Sequence, residues 1–159
     1  MVDPKKRLTP AEVTSAGLED WRQLVGRLHA RFRTGDFSAS LALVSRIGEA
    51  AEAADHHPDL TLTYTEVGVV LSSHDVSGIT SRDLDLARAI STLAREAGAT
   101  ADVAGLTLVE LGLDTTEGSR HAAVYAALLG AEVEHGEVQD PSGQTPTLWW
   151  QEPGEESSA

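Results

Sequence analysis

Between residues 37 and 51 the apolar positions Phe37, Leu41, Val44, Ile47 (with Gly48) and Ala51 recur at steps of three and four. That spacing lays side chains along one side of an α-helix. Gly35 and Asp36 ahead of them supply a turn and a helix start. Pro58 has no backbone N–H and biases His57 away from helical angles, so this helix has to finish near Asp55 or His56. From residue 60 the repeat shortens to two: Leu60, Leu62 and Tyr64 fall on one face and Thr61, Thr63 and Thr65 on the other, which predicts a strand. Glu66 gives a place to turn, and residues 67–73 read as the returning strand, in which Gly68, Val70, Ser72 and His74 share a face. After a bend permitted by Gly78, Thr80-Ser81-Arg82-Asp83 has the form of a capping box. Leu84, Ala87, Ile90, Ala94 and Ala97 continue it as a helix stopped at Gly98. Near the start of the chain, Thr9 and Pro10 predict the cap and first position of a short helix that reaches Ala16 and stops at Gly17. Across residues 18–33, Trp21, Leu24, Val25, Leu28 and Phe32 fit a helix as well as extended chain, and periodicity leaves the choice open.

Residues 99–105 are small and unpatterned and read as a linker. Beyond them, residues 106–114 read as a strand, 117–129 as a helix ending at Gly130, and 131–138 as a second strand. Asp140-Pro141-Ser142-Gly143 is turn chemistry, and 147–151 a last strand. The expected division is therefore a domain over 1–98, the linker, a module over 106–152 and a disordered acidic tail over 153–159.

Composition narrows the function classes. An aromatic share of 4% against an apolar share of 41% predicts a core built of Leu, Val, Ile and Ala. Twenty-five acidic against 12 basic residues give a formal charge of -13, which repels phosphate backbones and argues against nucleic-acid binding. With no cysteine there is no disulfide, thiolate metal site or thiol nucleophile. No apolar run is long enough to cross a bilayer and no apolar leader follows the charged start, so the expectation is a soluble cytoplasmic protein with no membrane partner.

Three of the six histidines, His56, His57 and His74, fall where secondary structure ends, at a helix exit and a strand tip. Such ends are where a scaffold presents side chains to a ligand. Taken singly, each candidate has a plainer reading. Adjacent histidines can cap the negative end of a helix. Asp83 can be only the third residue of the capping box, Glu52 a solvated helix residue and Tyr64 a packing residue on its strand. Three histidines could also hold a zinc ion with one open position.

Together, however, Glu52-x-x-x-His56-His57-Pro58, Tyr64 after a gap of five, His74 after nine more and Asp83 after eight more resemble the signature of the pterin-4a-carbinolamine dehydratases over residues 8–98. The resemblance implies an α+β fold, an antiparallel four-stranded sheet with helices packed on one face, and makes residues 18–33 two strands. It implies a 4a-hydroxytetrahydrobiopterin dehydratase, a hydro-lyase that returns quinonoid dihydropterin after an aromatic amino-acid hydroxylase has used the cofactor. His56, His57 and His74 would be the catalytic histidines, with His56 and His74 as the proton-transfer pair and His57 chiefly binding. Pro58, Ser73, Asp75 and Val76 would line the pterin, and Glu52, Tyr64 and Asp83 would support the site. The chemistry needs two aligned proton transfers, which imidazoles can perform near neutral pH, and demands no metal or other cofactor. One departure stands out: the family commonly has an aromatic two residues after the proline, and here that residue is Leu60. The alternatives are a pterin-binding or interaction module without turnover, and small-molecule binding by the C-terminal module.

That module, with Leu128-Leu129-Gly130, Asp140-Pro141-Ser142-Gly143 and Trp149-Trp150-Gln151, is similar to one βαβββ repeat of a glyoxalase-like, vicinal-oxygen-chelate domain, with its last strand short or missing. Two such modules normally cup one site, so the resemblance implies completion by a second copy, as a homodimer or higher homo-oligomer, or else truncation. Its first strand offers Glu110 in place of the usual histidine, and His121 and His135 read as surface residues, so no metal is expected there.

Overall fold

The structure, a computed structural model, describes residues 3–134, 136–142 and 145–154. The chain divides into two compact units, Met1–Leu106 and Thr107–Ala159. In the first, α1 (Pro10–Ser15) starts at Thr9, whose hydroxyl accepts from the N–H of Glu12 while the Glu12 carboxylate accepts from the N–H of Thr9. Residues 18–33, open to either reading by periodicity, hold strands β1 (Arg22–Leu24) and β2 (Arg27–Arg33), joined through Val25 and Gly26, both at positive φ. Helix α2 (Phe37–Ala54) is capped by the Asp36 carboxylate, which accepts from Ala39 N–H at 2.8 Å. Strands β3 (Asp59–Leu62) and β4 (Glu66–Leu71) follow, then a single 3₁₀ turn (His74–Val76) and α3 (Ser81–Glu96), which begins with the predicted box of Thr80 and Asp83.

The sheet is antiparallel in the order β1-β2-β4-β3, the four strands expected. A fifth, short strand is added by β5 (Thr100–Ala101), which pairs with Phe32 and Arg33 of β2. The residues read as a linker, 99–105, therefore belong to the first unit. Asp102 ties them down through ion pairs with Arg31 and with Arg33 Nη2 at 2.6 Å. An added Cβ at Gly105 would meet the end of the Arg31 side chain at 1.5 Å, so any larger residue there would displace the guanidinium that Asp102 holds.

One face of the sheet, Leu28, Ala30 and Phe32 from β2 with Val67, Val69 and Leu71 from β4, packs against Leu43, Ile47 and Ala51 of α2 and Leu86, Ala87, Ile90 and Ala94 of α3. Each large buried aliphatic contributes about 1.5–3 kcal/mol. Trp21 meets Phe32 edge-on at 6.3 Å and donates from Nε1 to Ser91 Oγ at 3.0 Å. The helical spacing predicted for α2 holds, but its buried stripe is Ser40, Leu43, Ile47 and Ala51, while Phe37 and Leu41 are half exposed. Two stripes of small and apolar residues run along this helix, and a three-four repeat fits both. Tyr64 corrects the strand reading: β3 ends at Leu62, and Tyr64 sits in the turn before β4, 73% exposed.

The second unit has the order β6 (Glu110–Asp114), α4 (Gly118–Leu129), β7 (Val133–Glu134), β8 (Glu137–Val138), β9 (Thr147–Gln151). Its sheet runs β6-β9-β8-β7, with β6 parallel to β9. The single strand expected over 131–138 is instead two short antiparallel strands, with Val133 paired with Val138 and Glu134 with Glu137, and His135 lies outside the described residues. With β9 five residues long, the last strand is present and the connectivity βαβββ is complete. The core here is small, Ala122, Ala126 and Val138 with Tyr125 and Trp150 packed against it. Of the expected tail, residues 155–159 lie outside the described residues. No helix among the described residues is long and apolar enough to cross a membrane.

Asp102 yields a test of the first unit's extended boundary. Its carboxyl is held below the usual range by the hydrogen bond from Arg31 and then that from Arg33. A depressed folded-state pKa stabilises the fold above the unfolded carboxyl's value of about 3.9, and the contribution is lost as pH falls through the lower folded value. Asp102→Asn is expected to lower the Tm at neutral pH, with the deficit shrinking below about pH 3.9. Thermal melts showing no deficit, or one that does not change with pH, would contradict this.

Candidate active site

Helix α2 ends without the glycine that usually takes the left-handed position. Asp55 adopts it at φ 48°, ψ 41°, and the next N–H, that of His56, returns to the Ala51 carbonyl at 3.1 Å. This is a six-to-one closure of the helix end. With Pro58 blocking any continuation, the reversal turns the two adjacent histidines opposite ways. His56 is buried, 8% exposed, whereas His57 stands in solvent with Nε2 3.1 Å from the exposed Glu52 carboxylate.

His56 Nε2 lies 2.7 Å from Oδ1 of Asp83, itself fully buried. The other oxygen of Asp83 accepts from the backbone N–H of Thr80 at 2.7 Å, from Ser73 Oγ at 2.7 Å and from Thr80 Oγ1 at 3.2 Å. The capping-box reading of Asp83 is thus correct and incomplete, because the cap's spare oxygen carries the histidine. With Asp83 accepting on both oxygens, His56 donates from Nε2, which leaves Nδ1 as the ring's proton acceptor. Ser73 follows β4 and adjoins the bridge that pairs it with Gly78, so the network joins the exit of α2, the exit of β4 and the entry of α3.

The three histidines then share one opening. His56, His57 and His74, with Pro58, Ser73 and Asp75, line an open cleft of about 330 Å³, at the lower end of small-molecule sites. His74 begins the 3₁₀ turn and is exposed. Asp75 accepts from Arg82 Nη2 at 2.6 Å, and its other oxygen is 3.3 Å from Lys5 Nζ. Arg82 chiefly, and Lys5 after it, hold the Asp75 carboxyl below the usual range.

Of the other residues singled out from sequence, Glu52 reaches the site only through His57, and Asp83 lies beneath the cleft. Val76, half-buried in the 3₁₀ turn, does not line it. Tyr64 is at the opposite end of β4, about 20 Å of strand away, so its place beside the histidines is not realised. Leu60 packs against the core and stays out of the cleft. Asp55, Asp59 and Arg82 line the cleft and were missed. For Arg82 a signal existed: a cation in the first turn of a helix opposes the helix dipole and asks for a reason. Among the described residues no group of three His, Asp or Glu side chains is placed to hold a metal ion. One imidazole with a fixed donor and a second, exposed one lining the same cleft are groups able to carry protons near neutral pH.

Residues 6–93 match the family model described as pterin 4 alpha carbinolamine dehydratase. A relative in Thermosynechococcus vestitus, provisionally named a pterin-4-alpha-carbinolamine dehydratase, is 46% identical over 91 residues, 56% of this chain and 96% of the relative. One from Nocardia farcinica with the same provisional name is 44% identical over 78 residues, 49% of this chain and 82% of that protein. Among solved structures, a transcriptional coactivator/pterin dehydratase from Brucella melitensis is similar with a TM-score of 0.54 and 30% identity, covering 56% of this chain and 99% of its own. The family match ends at residue 93 and does not reach the second unit. With more than half of its length matched, the chain belongs to the pterin 4 alpha carbinolamine dehydratase family.

Proposed function

We propose that the chain is a 4a-hydroxytetrahydrobiopterin dehydratase, a hydro-lyase acting in pterin recycling in the cytoplasm. The observation that carries this reading is the convergence of His56, His57 and His74 on one cleft, with His56 oriented by Asp83. The 4a-hydroxyl departs as water when it receives a proton, N5 gives up its proton, and the electrons of the N5–H bond form the C4a=N5 double bond of the quinonoid product. The two proton transfers cancel, so the protein needs one acceptor and one donor held across the ring. Nδ1 of His56 suits the acceptor for the N5 proton, because Nε2 is committed to Asp83. His74, exposed on its 3₁₀ turn, suits the donor to the leaving hydroxyl, and His57, tethered to Glu52, binds the ring.

For the second unit we infer a glyoxalase-like half-domain that a second copy completes. Its connectivity supports this, and so does the outer strand β6, exposed at every residue, with Leu111 and Leu113 on it and Leu108 and Val109 just before it left in solvent. An apolar edge of this kind invites pairing with another chain.

Each reading has its own measurement. Replacing His74 by Ala should slow the enzyme-accelerated decay of a 4a-hydroxytetrahydropterin, followed by absorbance, by about 10²–10³-fold with the thermal melt unchanged. An unaltered rate would remove His74 from the chemistry. Light scattering of the full chain should give a dimer or larger assembly that is lost or reduced when the chain ends after Leu106. A monomer at all concentrations would reject completion by a second copy.

A further inference from the structure

The pair Asp75 and Arg82 is the part of the cleft that the proton-transfer reading leaves without a task. Arg82 stands in the first turn of α3, a 16-residue helix, against the helix dipole. Its Nη2 donates to Asp75 Oδ1 at 2.6 Å and its Nε to Thr80 Oγ1 at 3.4 Å, while Lys5 approaches the second oxygen of Asp75. These contacts saturate neither group, since a carboxylate offers about four acceptor positions and a guanidinium five N–H donors. Both side chains line the cleft that the three histidines share. They therefore present an acceptor and a donor side by side, in an order fixed by their own ion pair. Asp55 and Asp59, the other carboxylates of the lining, have no cation of the cleft beside them: the Asp59 carboxylate is 4.0 Å from Arg27, which is not part of the lining.

A 2-amino-4-oxo pyrimidine ring shows, in order along its edge, two donors (the 2-amino group and N3–H) and one acceptor (the 4-oxo oxygen). We propose that Asp75 and Arg82 read this edge, the carboxylate accepting from the 2-amino group and N3–H and the guanidinium donating to the 4-oxo oxygen. The pair thereby selects 2-amino-4-oxo pteridines over 2,4-dioxo ones, in which an acceptor replaces the 2-amino donor and meets the carboxylate unfavourably. The inference rests on the pterin reading above and adds to it the orientation of the bicycle, pyrimidine edge toward the start of α3 and reacting edge toward His56 and His74.

The test is equilibrium binding of a 7,8-dihydropterin and its 2,4-dioxo counterpart, a dihydrolumazine, to the full chain, with the dehydratase rate measured on the same preparations. The native chain is expected to favour the dihydropterin by about tenfold to hundredfold, the worth of a charge-assisted hydrogen bond. Asp75→Asn should bring the two affinities within about threefold, because the amide can offer a donor to the 2-oxo group. Arg82→Gln should weaken both ligands alike, since both carry the 4-oxo oxygen. The quantity read is the ratio of two affinities on one preparation, so a less stable turn in a variant does not imitate the result. Asp75→Asn keeping the native ratio, or Arg82→Gln leaving both affinities at their native values, on a native chain that binds and turns over pterin, would overturn the edge assignment alone. A native chain that binds neither ligand and shows no dehydratase activity would overturn the pterin reading and the assignment with it.

Discussion

A single buried carboxylate ties the first unit together. Asp83 is fully enclosed, and removing a carboxylate from water costs several kcal/mol unless donors replace the solvent. Four do: His56 Nε2 on one oxygen, and the Thr80 N–H, the Thr80 hydroxyl and the Ser73 hydroxyl on the other. The donors come from three places in the chain, the residue after the exit of α2, Ser73 two residues beyond β4 and the cap of α3. The same contacts that close the fold at this end of the sheet therefore set the ring plane and tautomer of His56, and Ser73, one residue before His74, ties the start of that turn into the same network. A loop could hold two histidines near each other; a satisfied buried carboxylate holds one of them still.

Much of this was legible in the residues. Pro58 after two histidines required a helix end there, the alternation from Leu60 and from Val67 required a strand pair, and Thr80 with Asp83 required a helix start. Local rules sufficed because each depends on backbone groups close in sequence. What escaped depends on contacts across the fold. The second oxygen of the Asp83 cap is committed to a residue 27 positions away. Gly105 and Asp102 looked like linker because the Arg31 side chain that explains them sits on β2. In α2 the helical repeat admitted two stripes, and only the position of the sheet decides for Leu43 and Ile47 over Phe37 and Leu41. Tyr64 shared a spacing with the histidines but not an end of the sheet, since the strand between them separates what the pattern joined.

The two units differ in how they hold themselves together. The first buries Leu28, Phe32, Leu43, Ile47, Val67, Val69, Leu71 and Ile90 in one continuous core. Among its described residues the second buries two alanines, a valine and Leu148, and leaves Leu111, Leu113, Val124, Leu128 and Val133 in solvent. Gly112 and Trp149, paired across β6 and β9, are in close cross-strand contact, because a Cβ on Gly112 would fall 2.5 Å from the Trp149 ring. A core of that size yields little hydrophobic stabilisation, which is the physical ground for looking to a second copy.

The central claim is that Asp83 acts on catalysis through His56 and not only on the helix start. The direct measurement is the dehydratase rate of the Asp83→Asn chain, whose side chain has the same shape but can present a donor to Nε2 and reverse the ring's tautomer. The account predicts a fall of about 10²–10⁴-fold in a protein that remains folded by circular dichroism. A folded variant turning over within about twofold of the native rate, well inside the span expected for losing a proton-transfer group, would contradict it.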